Sequence, residues 1–189
     1  MKKIIFLVVA TILATAFVAC QKDNDNENGN NRDDQITTTI RTWSDASSIF
    51  FEASGIGTMT INWGDETTIE TYPLSSKRLE YFHKYSNIGG SSYSIKISGN
   101  ITHMGWDSEY AELTYINIGK KITTLSYLDV SYHSLSDGAL NSLFESLHDK
   151  TISGGKIVYI RSNPGTKSCD RSIAEKKGWT VSTNYPENW

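Results

Sequence analysis

The chain has 189 residues, a net charge of −3 at pH 7 and a mean hydropathy of −0.38. Its 18 basic and 21 acidic side chains are mixed along the sequence, and no basic block stands out. Proteins that bind nucleic acid generally carry a basic surface that neutralises phosphates. The composition therefore predicts no nucleic-acid partner.

Residues 1–19 have the pattern of an export signal, since two lysines precede an apolar run that starts at Ile4. The run holds roughly 15 apolar or small residues, which is short for a membrane span of about 20. It ends in FVAC, and small residues before Cys20 resemble the lipobox of bacterial lipoproteins. The resemblance implies that Cys20 becomes a lipidated N-terminus that anchors the protein in a membrane. The alternative is an ordinary signal peptide with an incidental cysteine.

Residues 20–35 are interpreted as a lipidated, flexible tether. Segment 21–34, QKDNDNENGNNRDD, contains no apolar residue and cannot bury surface to offset its ordering entropy. Acidic residues soon after the cysteine, Asp23 and Asp25, resemble the export tag of surface-displayed lipoproteins of Bacteroides-type bacteria. The resemblance implies a lipid anchor in the bacterial outer membrane and exposure at the cell surface. The sequence leaves a periplasmic orientation open.

Residues 36–100 are predicted to form a small antiparallel β module. Short runs rich in Thr, Ile, Tyr and Phe recur at regular intervals, and Gly, Ser and Asn separate them. Residues 55–57, Gly-Ile-Gly, are placed in a turn between the first two runs. The predicted strands are 49–53, 58–63, 68–72, 80–85 and 92–97.

The stretch INWGDET, residues 61–67, raises the question of a catalytic carboxylate pair. A structural turn explains it better. Gly64 can adopt the positive φ of a turn, and Asp65 can accept hydrogen bonds from backbone amides ahead of it. Glu66 is then an exposed substitute for glycine. We therefore assign Trp63, Gly64 and Asp65 to a structural turn.

This turn carries a family resemblance. Together with residues 83–85 (HKY) and 92–97 (SYSIKI), it is similar to the sandwich of the polycystic-kidney-disease (PKD) type. In that family a W-G-D-G turn precedes an H-x-Y strand and a Y-x-V/I strand. The resemblance implies a PKD-like β-sandwich with no catalytic role.

Residues 101–189 show a different pattern. The template LxxLxL fits 101–106, 113–118 and 125–130, and its second half fits 158–160. A spacing of 24 residues between the first and third copies is typical of leucine-rich repeats. Two helices are predicted, with N-caps at Ser136 and Ser168, and a last strand at 179–181. The first helix places Leu140, Leu143, Phe144 and Leu147 on one face.

Segment 101–181 resembles the C-terminal part of Bacteroides-type leucine-rich-repeat surface lipoproteins, through 139–144 (ALNSLF) and 163–179 (NPGTKSCDRSIAEKKGW). The combined prediction is an α+β protein. A small antiparallel PKD-like β-sandwich would be followed by a short leucine-rich-repeat-like solenoid of strands and two helices, the two packed as one body. The resemblance implies display and binding.

No pattern of catalysis or cofactor binding occurs in the sequence. The four histidines do not have the spacing of metal ligands, and nucleophile elbows, P-loops and dinucleotide-binding glycine motifs are absent. The lone Cys169 is interpreted as a small buried hydrophobe. The sequence therefore predicts a protein that is not an enzyme, with no metal and no cofactor.

The repeat strands predict a candidate ligand-binding face. Side chains between the leucines point outward and align across stacked strands in three rows. The rows are His103, Tyr127 and Ile157; Gly105, Asp129 and Tyr159; Asp107, Ser131 and Arg161. The candidate ligand-binding residues are His103, Asp107, Tyr127, Asp129, Tyr159 and Arg161.

Aromatics beside Asp and Arg suit recognition of a protein or a glycan. The plainest alternative is a solvated sheet face whose tyrosines pair only with each other. Two other functions stay open: an accessory glycan-processing hydrolase with an unrecognised site, and a structural subunit of a surface complex that is bound through Trp189 and its neighbours. The leading prediction is a non-catalytic surface lipoprotein for binding or adhesion.

Overall fold

Strands dominate the fold, at 45% of the described residues against 12% in helices. A computed structural model of the chain describes residues 33–43, 48–86, 90–109 and 111–184. The strands are β1 Ile36–Thr42, β2 Ser48–Asn62, β3 Glu70–Pro73, β4 Leu79–Lys84, β5 Ser92–Trp106, β6 Ala111–Asn117, β7 Tyr127–Asp129, β8 Lys156–Tyr159 and β9 Trp179–Ser182. The helices are α1 Asp137–Ser146 and α2 Ser172–Glu175, with a 3₁₀ turn at Pro164–Lys167.

The predicted signal peptide 1–19, the lipidation site Cys20 and tether residues 21–32 lie outside the described residues, as does Trp189. The described residues belong to one compact unit, Asn31–Trp189.

The predicted α+β class, with a small sandwich followed by a leucine-rich-repeat-like solenoid, is wrong. The described strands form one mixed nine-stranded sheet, and only two helices accompany it. The second copy of the repeat template lies in β6, which pairs antiparallel with β1 instead of joining a parallel stack. Hydrophobic periodicity indicates which side chains are buried but not whether the strand pairs parallel or antiparallel. Strand β6 buries Leu113 and Ile116 while pairing antiparallel.

Two long strands, β2 and β5, form the centre of the sheet. They pair antiparallel along most of their length. On its other side β2 pairs with β4 and then with β3. The first half of β5 pairs antiparallel with β1, whereas its second half pairs parallel with β7, and β8 and β9 extend the parallel part. Strand β5 runs through residue 100, where the sequence suggested a module boundary.

The turn predicted at residues 55–57 is wrong, because β2 continues through it as a bulge. The register with β5 shifts between Ile56 and Met59. Gly57 has φ +86°, and a Cβ on Gly99 would lie 2.7 Å from the Thr58 carbonyl oxygen. Gly57 and Gly99 thus let β2 bend past β5 without ending. From the sequence alone, residues 55–57 predict a turn.

The first predicted helix is confirmed as α1. The Ser136 hydroxyl accepts a hydrogen bond from the Ala139 amide and caps the helix. Leu140, Leu143 and Phe144 are fully buried against the sheet. The second predicted helix is much shorter than expected, since α2 has four residues.

Candidate functional site: an aromatic face of the sheet

The central feature is a continuous set of side chains on one side of the sheet. Residues directly opposite each other on paired strands point to the same face. The register joins Ser54 of β2 to His103 of β5, then to Tyr127 of β7 and Ile157 of β8. The predicted alignment of His103, Tyr127 and Ile157 is therefore confirmed.

The second predicted row is also aligned. Gly105, Asp129 and Tyr159 are direct neighbours on β5, β7 and β8, and Glu52 of β2 extends the row beyond Gly105. The residues of these two rows, with Phe50 and Phe82 described below, are called the aromatic face. Its members are Phe50, Glu52, Ser54, Phe82, His103, Gly105, Tyr127, Asp129, Ile157 and Tyr159.

The third predicted row lies beyond the paired residues of the strands. Asp107 is exposed, and its Oδ1 accepts a hydrogen bond of 2.6 Å from the Glu109 amide. The Arg161 amide donates to the Ser131 hydroxyl over 3.2 Å, so these two residues are still neighbours. The Arg161 guanidinium lies 5.6 Å from the ring centre of Tyr132, a cation–π distance.

Three rings stack across the middle of the aromatic face. The His103 and Tyr127 rings are 3.8 Å apart between centroids and only 8° from parallel. Tyr159 approaches the Tyr127 ring at 5.3 Å and 42°. Tyr127 thus has an aromatic ring on each side, His103 in its own row and Tyr159 in the next row, and these contacts span three adjacent strands. Such pairs stabilise by about 0.5–1.5 kcal/mol beyond the area that they bury.

A second aromatic pair lies at the β2–β4 side of the same face. Phe50 and Phe82 are direct partners across the two strands, with ring centroids 4.7 Å apart. Phe82 is 49% exposed. This pair could not be predicted from the sequence, because it depends on the register between β2 and β4, which lies outside the repeat pattern. Its only local signal is that Phe50 alternates with the buried Ile49 and Phe51.

One ion pair lies near the stack. Nη1 of Arg78 is 3.7 Å from Oε2 of Glu52, and both side chains are about one-third exposed. Burial and the positive charge of Arg78 lower the pKa of His103 to about 4. Burial also raises the pKa of Tyr127. At neutral pH the stack therefore consists of an uncharged imidazole against a protonated phenol.

Asp129 is the one acid of the face that is almost fully buried, at 4% exposure. Its Oδ1 accepts a hydrogen bond of 2.8 Å from the Ser131 amide. Burial raises the pKa of its carboxyl group. Its observed contact is with the backbone as β7 ends, which is a structural use of the side chain.

The predicted structural turn at Trp63, Gly64 and Asp65 forms a separate polar cluster, here called the corner. Gly64 has φ +79°, and a Cβ there would lie 2.3 Å from the Ser94 carbonyl oxygen. Oδ1 of Asp65 accepts hydrogen bonds from the amide and hydroxyl of Thr67. Glu66 is exposed and has φ +65°, a conformation that glycine adopts most easily.

His83 of β4 completes the corner. Its Nε2 lies 2.8 Å from Oδ2 of Asp65, and its ring stacks on Trp63 at 4.6 Å and 11°. Burial opposes ionisation of Asp65, but the hydrogen bonds from Thr67 and His83 outweigh it and lower the pKa of the carboxyl group. The sequence did not predict the pairing of His83 with Asp65, because 18 residues separate them.

Glu70 anchors the other side of the Trp63 ring system. It accepts hydrogen bonds of 2.6 Å from both the Trp63 indole and the Tyr72 hydroxyl, and these bonds lower its pKa. The Tyr72 bond to Glu70 and burial raise the pKa of Tyr72 to about 12. The carboxylates of Asp65 and Glu70 thus hold the turn together, and both have structural partners.

Within the described ranges, no group of three or more His, Cys, Asp or Glu side chains is arranged to hold a metal ion. Two clefts, of about 420 and about 330 Å³, have no residue of the aromatic face in their walls. A single carboxylate lines each of them, Asp34 in the first and Asp149 in the second.

Comparison of the chain with protein-family models, curated proteins and solved structures found no match. In the part of the chain that the structure describes, neither helix has the length and apolar character of a membrane span.

Proposed function

We propose that this protein is a non-catalytic, lipid-anchored protein of the bacterial outer membrane, displayed at the cell surface, which binds a protein or glycan ligand through its aromatic face. The anchor rests on the residues that end at Cys20. The binding role rests on the arrangement of aromatic rings over the sheet. The two parts of the proposal are independent and have separate tests.

The observation that carries the binding role is a set of five aromatic rings on one face of the sheet, in two groups. Phe50 and Phe82 form one pair on β2 and β4, and His103, Tyr127 and Tyr159 form the second group on β5, β7 and β8. Aromatic side chains concentrate at recognition surfaces because they combine a large apolar area with polar groups. Rings held by their neighbours also lose little conformational entropy on binding.

A charged pair at the edge of the stack can supply specificity. Arg78 and Glu52 are only about one-third exposed, so their contact is partly shielded from water. Polar groups next to an apolar surface fix the orientation of a ligand more than they add to affinity. We expect a ligand that covers the tyrosines to contact this pair.

The binding role can be tested with glycan and protein arrays probed with residues 21–189, which include the compact unit Asn31–Trp189. Tyr127→Ala and Tyr159→Ala should each weaken binding of any ligand found by at least about tenfold, as expected for central aromatic contacts. Tyr115→Ala, on β6, is the matched control and should bind as the wild type does. Unchanged binding by both face variants would overturn the role of the face.

The anchor can be tested by metabolic labelling with a fatty-acid analogue. Cys20→Ala should abolish the label and release the protein from the membrane fraction. Cys169→Ala removes the other cysteine and should retain both properties. Protease treatment of intact cells then distinguishes surface display, in which the protein is cleaved, from a periplasmic orientation, in which it is protected.

A further inference from the structure

His103 has an unusual position for a titratable group. It stacks on Tyr127 in the middle of the aromatic face, and its Nε2 is buried without a hydrogen-bond partner among the described residues. A neutral imidazole tolerates such a site because the buried nitrogen can be the one without a proton. An imidazolium has two N–H groups that both need acceptors.

Among the described residues around His103, no anion pairs with it. On β2, the opposite residue is Ser54, whose hydroxyl contacts Thr102 at 3.2 Å. On β7, the neighbour is the protonated phenol of Tyr127. The charged group that acts on His103 is Arg78, and its charge opposes protonation.

The two acids of the neighbouring row are already engaged. Glu52 pairs with Arg78, and Asp129 accepts a hydrogen bond from the Ser131 amide. A proton on His103 would therefore place a charge, with a buried N–H that has no acceptor among the described residues, in a half-buried stack near an arginine. Nε2 can reach water only if the ring moves from its position against Tyr127.

We propose that His103 makes the aromatic face acid-labile: the neutral ring holds the stack together, and protonation moves it away from Tyr127 and dismantles the binding surface. The inference rests on the proposed binding function for its biological meaning, since the switch regulates that same face. The pH-dependent change itself requires only the stack of His103 on Tyr127 and no ligand. The face is intact at neutral pH and is lost in acid.

The low pKa of His103, about 4, sets the pH range in which the stack is lost. At pH 5 about one-tenth of such a group is charged, whereas a histidine with the ordinary pKa of about 6.5 is almost fully charged. Because the folded-state pKa lies below that of the unfolded chain, the stack is stabilised above about pH 6.5. That stabilisation is lost as the pH falls toward 4.

The test is an NMR titration of residues 21–189 from pH 7.5 to 3.5, without any ligand. We expect the His103 ring signals to titrate with a midpoint well below 6.5 and the Tyr127 ring signals to shift with the same midpoint. A His103 midpoint near 6.5 would overturn the proposal. So would a low midpoint with unchanged Tyr127 signals, because the stack would then survive protonation.

His103→Phe is the matched variant, since it keeps a ring at this position but cannot be charged. Its Tyr127 signals should be independent of pH over the range in which the wild type changes. His103→Gln, which removes both ring and charge, should show the shifted Tyr127 signals already at pH 7.5. If wild type and His103→Phe lose their Tyr127 signals at the same pH, another group causes the change and the switch is refuted.

A ligand identified on the arrays permits a separate measurement. Its affinity for the wild type should fall by at least tenfold between pH 7 and pH 4, and its affinity for His103→Phe should change far less. Failure to find any ligand would count against the proposed function and would leave the titration result standing. A pH-independent stack would refute the switch while the binding role is still supported by the tyrosine variants.

Discussion

Two histidine–aromatic stacks occur among the described residues, and their surroundings are opposite. At the corner, His83 lies flat on Trp63 with centroids 4.6 Å apart. On the aromatic face, His103 lies flat on Tyr127 at 3.8 Å. The first histidine has a carboxylate, Asp65, within 2.8 Å of its Nε2, whereas Nε2 of the second is buried without a partner in the described part of the chain.

The difference separates a structural cluster from a candidate binding surface. At the corner, the indole of Trp63 and both oxygens of Asp65 have hydrogen-bond partners. Such satisfied networks fix one conformation. On the aromatic face the ring of His103 stacks on Tyr127, and its buried Nε2 has no hydrogen-bond partner among the described residues. Unsatisfied groups and exposed aromatics reduce stability, and natural proteins retain them mostly where they serve a function.

The largest predicted effect compares the two aromatic partners directly. Trp63→Ala should lower the free energy of unfolding by about 3–5 kcal/mol, because a fully buried ring leaves a cavity. Tyr127→Ala should cost about 1–2 kcal/mol, since a half-buried ring loses stacking more than core volume. Urea unfolding at pH 7 measures both values. Equal losses would remove the distinction between corner and face.

The second prediction concerns the carboxylate of the corner. Asp65→Ala should cost about 2 kcal/mol at pH 7, because it removes the acceptor for Thr67 and His83. The folded-state pKa of Asp65 is lowered, so this stabilisation is fully present above about pH 4 and disappears as the pH falls through the folded-state value. The stability difference between wild type and variant should therefore shrink in acid.

Asp107→Ala is the matched control for Asp65→Ala, because Asp107 is an aspartate outside the corner. Asp107 is exposed and accepts one backbone hydrogen bond, so its loss should cost less than about 0.5 kcal/mol. A flat pH dependence for the Asp65→Ala difference would contradict the structural role of the carboxylate. If Asp65→Ala left stability intact but abolished an activity, the corner would have to be treated as a site of chemistry.

Within the corner itself, the smallest effect is expected at the exposed end of the turn. Glu66 has φ +65°, which costs an L-amino acid roughly 1 kcal/mol relative to glycine. Glu66→Gly should therefore raise the free energy of unfolding by up to about 1 kcal/mol, measured by urea or thermal unfolding. Gly64→Ala is the opposite control, because its Cβ would collide with Ser94, and it should destabilise. A destabilised Glu66→Gly would show that this glutamate contributes a contact of its own.

Local chemistry made the corner predictable. Gly64 and Asp65 are adjacent to the strand that they end, and their conformations depend on residues within a few positions. The cap of α1 at Ser136 was predictable for the same reason. His83 could not be placed there from the sequence, since β4 pairs it with Ile49 at the start of β2 and only the tertiary packing brings it to Asp65 after the end of β2.

The aromatic face was predictable in part. The repeated template put His103, Tyr127 and Ile157 in one row, and the parallel pairing of β5, β7 and β8 has that register. The same template also suggested a solenoid, which is wrong. Inward alternation looks alike in parallel and antiparallel strands, so β6 with its antiparallel partner β1 could not be recognised.

The sequence by itself determined which side chains are inward, where the turn at Gly64 lies and where α1 begins, because these depend on alternation and on contacts between near neighbours. Only the tertiary structure decided that β2 passes through its glycines as one strand, that Phe50 meets Phe82 and that His83 meets Asp65. It also decided that Nε2 of His103 is buried without a partner in the described residues. These features depend on pairing between residues far apart in the chain, which no local pattern encodes.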